Sequence, residues 1–374
     1  MQKVAIVEVK TRKQLREFIY LPEKIHKNHA NWLPPIYIDE FKFFDPAKNH
    51  AFSHCDTVLY LAYRDKDVIG RIMGIIHHQY NEARGEKTAR FGFIECYNDS
   101  EVARLLLSTV ENWARGFDVV KIIGPYGFSD KDPQGLQISG FEHMPILATA
   151  VNFPYLVDLL EENGYVKDID CLVYKLDLNK PLPEVYSRII QRFDARKDFV
   201  LKEYKSKKEI KPFVIPILRL VNETYKELYG FTPLTELEMK EFADRYMDVL
   251  DPRFIKVIMK GDDIVAFIIG LSNFSPGIQK SKGRLFPFGF IHILRAMKKT
   301  NQLDLMLGAV KPNCQGLGFE ILMALRLIDS CREAGLTQME IHLVLETNTK
   351  MLAELERVEA QLHKKFRVFG KSLI

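Results

Sequence analysis

The chain has 374 residues, 47% of them apolar and 27% charged, with 53 Lys and Arg against 49 Asp and Glu. This is the composition of a folded protein of two ordinary domain lengths, and it excludes a disordered, collagen-like or disulfide-scaffold chain. A surplus of four cations gives no basic stripe of the kind a nucleic-acid binder carries. The longest stretch free of Asp, Glu, Lys and Arg is Ile264–Gln279, 16 residues broken by Ser272, Asn273, Ser275, Pro276 and Gly277. That is short of the ~20 apolar residues of a bilayer span. The start, MQKVAIVEVKTRKQL, has neither a long apolar core nor a small-residue cleavage site, so no signal peptide is expected. Cys55, Cys96, Cys171, Cys314 and Cys331 are scattered and form no C-x-x-C pair, which predicts reduced thiols and a cytoplasmic protein.

Strand-like and helix-like runs alternate along the chain. Met1–Glu8 reads as a short strand around Val4 and Ile6. Val58–Tyr63 and Val68–His77 flank the charged turn Arg64–Asp67, which predicts a hairpin. Glu101–Arg115 places Val102, Leu105, Leu106, Thr109, Val110 and Trp113 at helical spacing, with Asp99 and Ser100 as caps and Gly116 as a stop. Val119–Ile123 follows as a short buried strand, and the repeated strand–helix–strand order predicts an α/β class.

The second half repeats the first. Residues 68–76 resemble 264–272, Asn152–Tyr155 lies opposite Asn348–Met351, and Asp170–Leu178 lies opposite Phe366–Ile374, each at an offset of 196. One offset for three segments predicts two tandem domains. The expected layout is an N-terminal domain over 1–178, a linker over 179–200 marked by Pro181 and Pro183, and a C-terminal domain over 201–374. Pro125–Ala150 and Asn273–Asn301 are extra segments of the first and second half respectively.

The strongest local signal is Leu303–Gly335: a strand, the turn KPNCQGLG with Gly316 and Gly318, then a helix with Ile321, Leu322, Leu325 and Ile328 on one face. A glycine turn opening a helix presents unpaired N–H groups and the positive end of the helix dipole, an anion site suited to phosphate. The turn is not a P-loop, and Ile321 stands where G-x-G-x-x-G needs its third glycine. On its glycines alone it reads equally as a tight turn without a ligand.

Strand, Q-G-x-G turn, helix, the strand Gln338–Leu345 and a further helix opened by Asn348 resemble the acyl-CoA core of the GCN5-related N-acetyltransferase (GNAT) superfamily. Gln315 and Gly318 fit its [QR]-x-x-G-x-[GA] loop, and Glu320 stands where Gly or Ala is usual. NWLPPIYIDEFKFFDPAKN at 31–49, GPYGFSDKDPQGL at 124–136 and EIHLVLETNTKM at 340–351 resemble a bacterial two-domain group of that superfamily over nearly the whole chain. The resemblance implies two tandem mixed sheets flanked by helices. It also implies an acetyl-CoA or longer acyl-CoA donor held around Val310, Gln315, Gly316, Leu317, Gly318, Phe319 and Asn348, without a metal, and an amine acceptor, a lipid amine among the candidates. The first half lacks the loop: Cys96–Glu101 has no Gly there and two carboxylates, so acyl-CoA is expected in the C-terminal half alone. The rival reading is a degenerate, non-catalytic acyl-CoA-binding or protein-interaction module.

Transfer to an amine needs a base, because an ammonium has no lone pair. Strand alternation predicts Glu340, His342, Val344 and Glu346 on one face of 339–345 and Ile341, Leu343 and Leu345 toward the core. Glu346, at the strand end and matching a Glu of the resembled group, is the first candidate base and His342 the second. Phe366 and Phe369 stand where that group tends to show tyrosines, so either Tyr126 or Tyr155 serves as the acid or the thiolate leaves unaided. Asn348 reads equally as a helix cap. His77 and His78 point to opposite faces of a strand, and Cys314 reads as a half-buried loop thiol. Lys205–Lys211 reads as a solvated basic run. Leu285–Leu294, with Phe286, Phe288 and Phe290, is rimmed by Lys280, Lys282, Arg284, Arg295, Lys298 and Lys299. It suits peripheral contact with an anionic membrane or an acyl chain, or else a buried helix.

Overall fold

The computed structural model describes residues 3–186, 193 and 196–374. Met1, Gln2 and most of the expected linker beyond residue 186 lie outside the described residues. The first half runs β1 (Val4–Glu8), α1 (Arg12–Ile25), α2 (Tyr37–Phe43), β2 (Cys55–Arg64), β3 (Asp67–His77), α3 (His78–Arg84), β4 (Thr88–Cys96), α4 (Ser100–Ala114), β5 (Lys121–Gly124), β6 (Leu136–Ser139), α5 (Tyr155–Glu162) and β7 (Val166–Asp177). The second half runs β8 (Phe199–Glu203), α6 (Lys207–Tyr225), α7 (Glu236–Met247), β9 (Ile255–Lys260), β10 (Asp263–Ser272), α8 (Ser275–Ser281), α9 (Gly289–Lys299), β11 (Gln302–Val310), α10 (Phe319–Glu333), β12 (Gln338–Leu345), α11 (Thr349–Arg357) and β13 (Gln361–Ser372). The hairpin strands β3 and β10 begin at the predicted offset of 196 residues.

The chain forms two compact units of interleaved segments, whereas the sequence reading laid the domains end to end. Unit 1 comprises Met1–Leu172, Phe274–Ala296 and Lys364–Ile374; unit 2 comprises Val173–Asn273 and Met297–His363. In unit 1, β1 to β4 are antiparallel neighbours and β4 pairs parallel with β5. The chain's last strand closes that sheet, with Phe369 opposite Gly124 and Ser372 opposite Lys121. Phe366 and Phe369, fully buried, are therefore core residues of unit 1. Period-two patterning sends Ile72 and Ile76 to a core under α4 and α5, and Met73 and Ile75 to a second core under α1. Gly70 and Gly74 let α4 lie close on β3: a Cβ on Gly74 would stand 2.8 Å from the Trp113 ring, and one on Gly70 2.8 Å from Leu106.

Unit 2 repeats the plan. β8, β9, β10 and β11 are antiparallel neighbours, and β11 meets β12 in parallel. Leu322, Met323, Leu327 and Ile328 of α10 bury one face of the sheet; Ile217, Leu220 and Val221 of α6 cover the other. Each unit is thus a mixed sheet with helices on both faces.

Candidate functional site

In unit 2 the β11–β12 ladder runs only from Gln302 opposite Gln338 to Leu305 opposite Ile341. β11 then follows β10 instead, to Val310 opposite Ala266, across a bulge that leaves Met306 unpaired between Leu305 and Leu307. A bulge bends its strand and raises its twist. The two strands part at this point, and His342 to Glu346 line one side of the opening. His342 and Glu346 are half-buried, and both ring nitrogens of His342 are shielded from solvent.

β12 departs from the predicted alternation. Met339 and Ile341 join the core, and so does Val344, whereas Leu343 and Leu345 are half-buried and stand outside that cluster. The facing changes between Ile341 and Val344, just past the last ladder pair. The change of facing thus coincides with the end of the pairing to β11.

The glycine turn lies beyond the end of β11. Cys314 is buried beneath it, more deeply than expected, while Gln315 and Gly316 are exposed. Gly316 has φ +75° and an added Cβ there would meet nothing within 4 Å, so the glycine serves backbone conformation beside open space. Gly318, φ +84°, is the N-cap of α10 and supplies no capping side chain. The first N–H groups of a 15-residue helix therefore point out of the turn without an intrahelical partner. Phe319 packs inward on Phe193 and Phe199, so its side chain belongs to the core and its backbone to the turn. Glu320 is exposed in the first turn. Beside the turn, Lys311 is held by Asp263 at 2.7 Å, which raises its pKa above the ordinary lysine range.

The matching helix start in unit 1 is occupied by its own carboxylate. Asp99 Oδ1 accepts from the amides of Glu101 and Val102, both at 3.1 Å, and Oδ2 accepts from Arg64 at 2.8 Å. An anion would have to displace that cap.

Several other candidates resolve into structural roles. Asn348 caps α11, accepting from the Met351 amide at 3.2 Å. Tyr126 is fully buried, and burial holds its phenol far above the usual range. Tyr155 spends its proton on the Cys96 carbonyl at 2.8 Å. His77 ends β3 as the N-cap of α3, its Nδ1 accepting from the Tyr80 amide at 3.2 Å; burial first, then Arg90, lower its pKa to about 3. His78 pairs with Asp56 at 2.6 Å. A further ionisable cluster, in unit 1 around His26, His29 and Glu95, was not singled out in the sequence. Its only linear trace is two histidines three apart after an amphipathic helix.

The Phe-rich segment is exposed. Phe286 is 73% and Phe288 69% accessible, with Phe290 at 43% and Leu294 at 50%, and Ile293 anchors α9 inward. Among the described residues no helix is long and apolar enough to cross a membrane.

No model of a known protein family matches the chain. It is 28% identical over 381 residues to a bacterial ceramide synthase of Caulobacter vibrioides, covering 99% of this chain and 98% of that one. It is 27% identical over 379 residues to protein YghO of Escherichia coli, covering 97% of this chain and 94% of that one. A tandem GNAT protein from the clavulanic acid biosynthesis pathway superposes with a TM-score of 0.56 at 12% identity, covering 100% of this chain and 99% of that one. The chain thus has the tandem GNAT fold, as its resemblance to that superfamily implied.

Proposed function

We propose that this chain is an N-acyltransferase that moves an acyl group from an acyl-CoA thioester to the amine of a lipid. The observation that carries the reading is the parted pair β11–β12 with the uncapped start of α10 beyond it; in unit 1 the β4–β5 ladder also ends early, at Arg90 opposite Ile123, but the helix start there is capped by Asp99. The N–H groups at Gly318, Phe319 and Glu320 would take the pyrophosphate, with Gln315, Gly316 and Leu317 shaping the turn. The backbone at Val310 would pair with the pantetheine amides where β11 has left β12. Asn348 would border the donor through its backbone, since its side chain is engaged as a cap. Glu346, in the opening, is assigned the proton that the amide-forming nitrogen loses as the tetrahedral intermediate collapses, with His342 as the alternative acceptor. That the Caulobacter relative is a ceramide synthase supports a long-chain amine as acceptor and a long acyl chain on the donor.

The exposed segment supports a lipid substrate independently. Lys280–Lys299 holds six Lys and Arg residues and no carboxylate, around three exposed phenylalanines. An apolar loop with a cationic rim fits an anionic membrane surface, where it would collect the acceptor. Calorimetry with CoA on the intact chain and on Gly318→Asp tests the donor site. Binding by the wild type and several-fold to hundredfold weaker binding by the folded variant support it. Equal binding rejects it.

A further inference from the structure

Unit 1 holds two imidazoles in direct contact at the end of its first helix. His26 is the C-cap of α1, and His29 follows in the next turn, its amide donating to the His26 carbonyl at 2.9 Å. Their Nδ1 atoms lie 2.9 Å apart. His26 is 1% exposed, and its Nε2 lies 3.2 and 3.3 Å from the two carboxylate oxygens of Glu95. Its ring is stacked on Trp32 and on Phe153, with centroids 5.4 and 5.0 Å away and planes within 8° and 12°. His26 is thus held by its backbone, by a ring on each of two sides and by a carboxylate. His29 is only half-buried and stacks on Phe153 at 4.3 Å.

The turns that carry His29 are fastened to α8, within the same unit. Gln279 donates to the carbonyls of Ala30 at 2.8 Å and Trp32 at 3.0 Å. The Trp32 amide donates to the His29 carbonyl at 3.1 Å, and Asn31 donates to the Phe141 carbonyl at 2.9 Å. Further along, the Tyr37 amide donates to the Gly283 carbonyl at 3.0 Å. The chain leaves α8 directly into the exposed Phe286–Phe290 loop. The placement of the His29 ring and the docking of α8 therefore depend on one short stretch of backbone.

A gap of 2.9 Å between two ring nitrogens holds one proton, donated by one ring and accepted by the other. The bond from His26 to Glu95 is satisfied whichever Nδ1 carries it, with the pair neutral or with one imidazolium in it. Two imidazolium rings are excluded, because both Nδ1 atoms would then carry hydrogens pointed at each other. The charges acting on His29 are those of His26 and Glu95: burial, then His26, lower its pKa below 6.5, and Glu95 raises it. Glu95 in turn faces the buried Arg71 of β3. Tyr155 and Cys96 also face Glu95; burial raises both pKa values, so neither adds charge near neutral pH. Trp32, Phe153, Asn31 and Gln279 carry no charge. The shared bond is therefore complete above pH 6.5 and weakens as pH falls, since the parted rings bind one proton more than the joined ones.

We propose that His26 and His29 form a pH-sensitive latch: closed, they share one proton and hold residues 29–32 against α8, and a second imidazolium parts them. The step moves a proton from water to an imidazole nitrogen and changes no bond between heavy atoms. His26 stays against Glu95, and His29, the more exposed partner, leaves with its turn. Opening frees the Ala30 and Trp32 carbonyls from Gln279, and with them the stem of the Phe286–Phe290 loop. The latch lies wholly within unit 1 and does not depend on the N-acyltransferase reading.

Amide hydrogen exchange on the full chain, from pH 8 to pH 5 and corrected for the intrinsic rate at each pH, tests it. Because opening takes up one proton, protection at the amides of His29 and Trp32 should fall about tenfold per pH unit below pH 6.5. His29→Asn keeps a side chain that can donate to or accept from His26 and cannot titrate, so its Trp32 amide should keep its protection across the range. His77→Asn removes the other histidine whose pKa burial lowers and should leave the fall in place, which separates the latch from acid destabilisation of the whole unit. In the wild type, ¹⁵N-histidine NMR should show the second Nδ1 of the pair becoming protonated over the same pH range. Level protection in the wild type, or an equally steep fall in a folded His29→Asn, overturns the latch. Should that variant not fold, two protonated Nδ1 atoms beside a Trp32 amide that is still protected overturn it.

Discussion

Replacing Phe286 and Phe288 together with serine separates a lipid-facing loop from a covered one. The two rings expose 73% and 69% of their surface, so neither contributes much to the core. Removing exposed side chains should change folding stability by less than about 0.5 kcal/mol, whereas truncating buried aromatics would cost about 3–5 kcal/mol each. At ~200 Å² per phenylalanine the pair offers roughly 280 Å² to a membrane, an upper bound near 7 kcal/mol at ~25 cal/mol per Å². Insertion to the headgroup boundary would realise about half, so vesicle affinity should fall by roughly 10²–10³-fold. The assay is co-sedimentation with vesicles of phosphatidylglycerol and phosphatidylcholine, alongside a melting curve. Residual binding should weaken further with salt, because the remaining cations are screened. A loss of more than 10 °C in Tm with unchanged vesicle binding would refute the reasoning.

Three further outcomes are expected. Gly318→Asp adds a carboxylate and a Cβ at a position with φ +84°, where the pyrophosphate would sit; CoA affinity by calorimetry should drop by about 1–3 kcal/mol. Glu346→Gln keeps the shape of the opening, and turnover should fall by roughly 10²–10⁴ while CoA affinity holds; normal turnover would move the assignment to His342. His77, with a folded pKa of about 3 against an unfolded value near 6.5, binds its proton more weakly when folded, so its contribution is complete above pH 6.5 and lost as pH falls toward 3. Denaturant titrations should show a loss of order 2 kcal/mol between pH 6.5 and 5. His77→Asn, which keeps a capping acceptor, should flatten that slope, and an identical slope in the variant would contradict it.

What the sequence revealed follows the range of the forces involved. Local devices were legible: the β2–β3 turn, the Asp99 cap of α4, the glycines before α10, and the offset that aligns β3 with β10. The origin of the strand that completes unit 1 was not. Pairing of Phe369 with Gly124 joins residues far apart in the chain, and an apolar alternating strand carries no mark of its partner. Val344 turned inward where the ladder to β11 had ended, a change that strict alternation cannot anticipate. Phe286 and Phe288 showed the limit of composition, since a run of phenylalanines reads alike whether it faces core or lipid. His26 and His29 became meaningful only when β4 brought Glu95 to them across 69 residues.

The central claim is tested most directly by mixing the purified full chain with palmitoyl-CoA, with and without sphinganine, and following thiol release together with the mass of the lipid product. The account predicts amine-dependent release of CoA thiol, one equivalent per N-acyl amide formed, and several-fold to hundredfold slower in Gly318→Asp at sub-saturating palmitoyl-CoA. Tight binding of palmitoyl-CoA without amine-dependent thiol release or amide would contradict it and would mark the chain as a non-catalytic acyl-CoA-binding module.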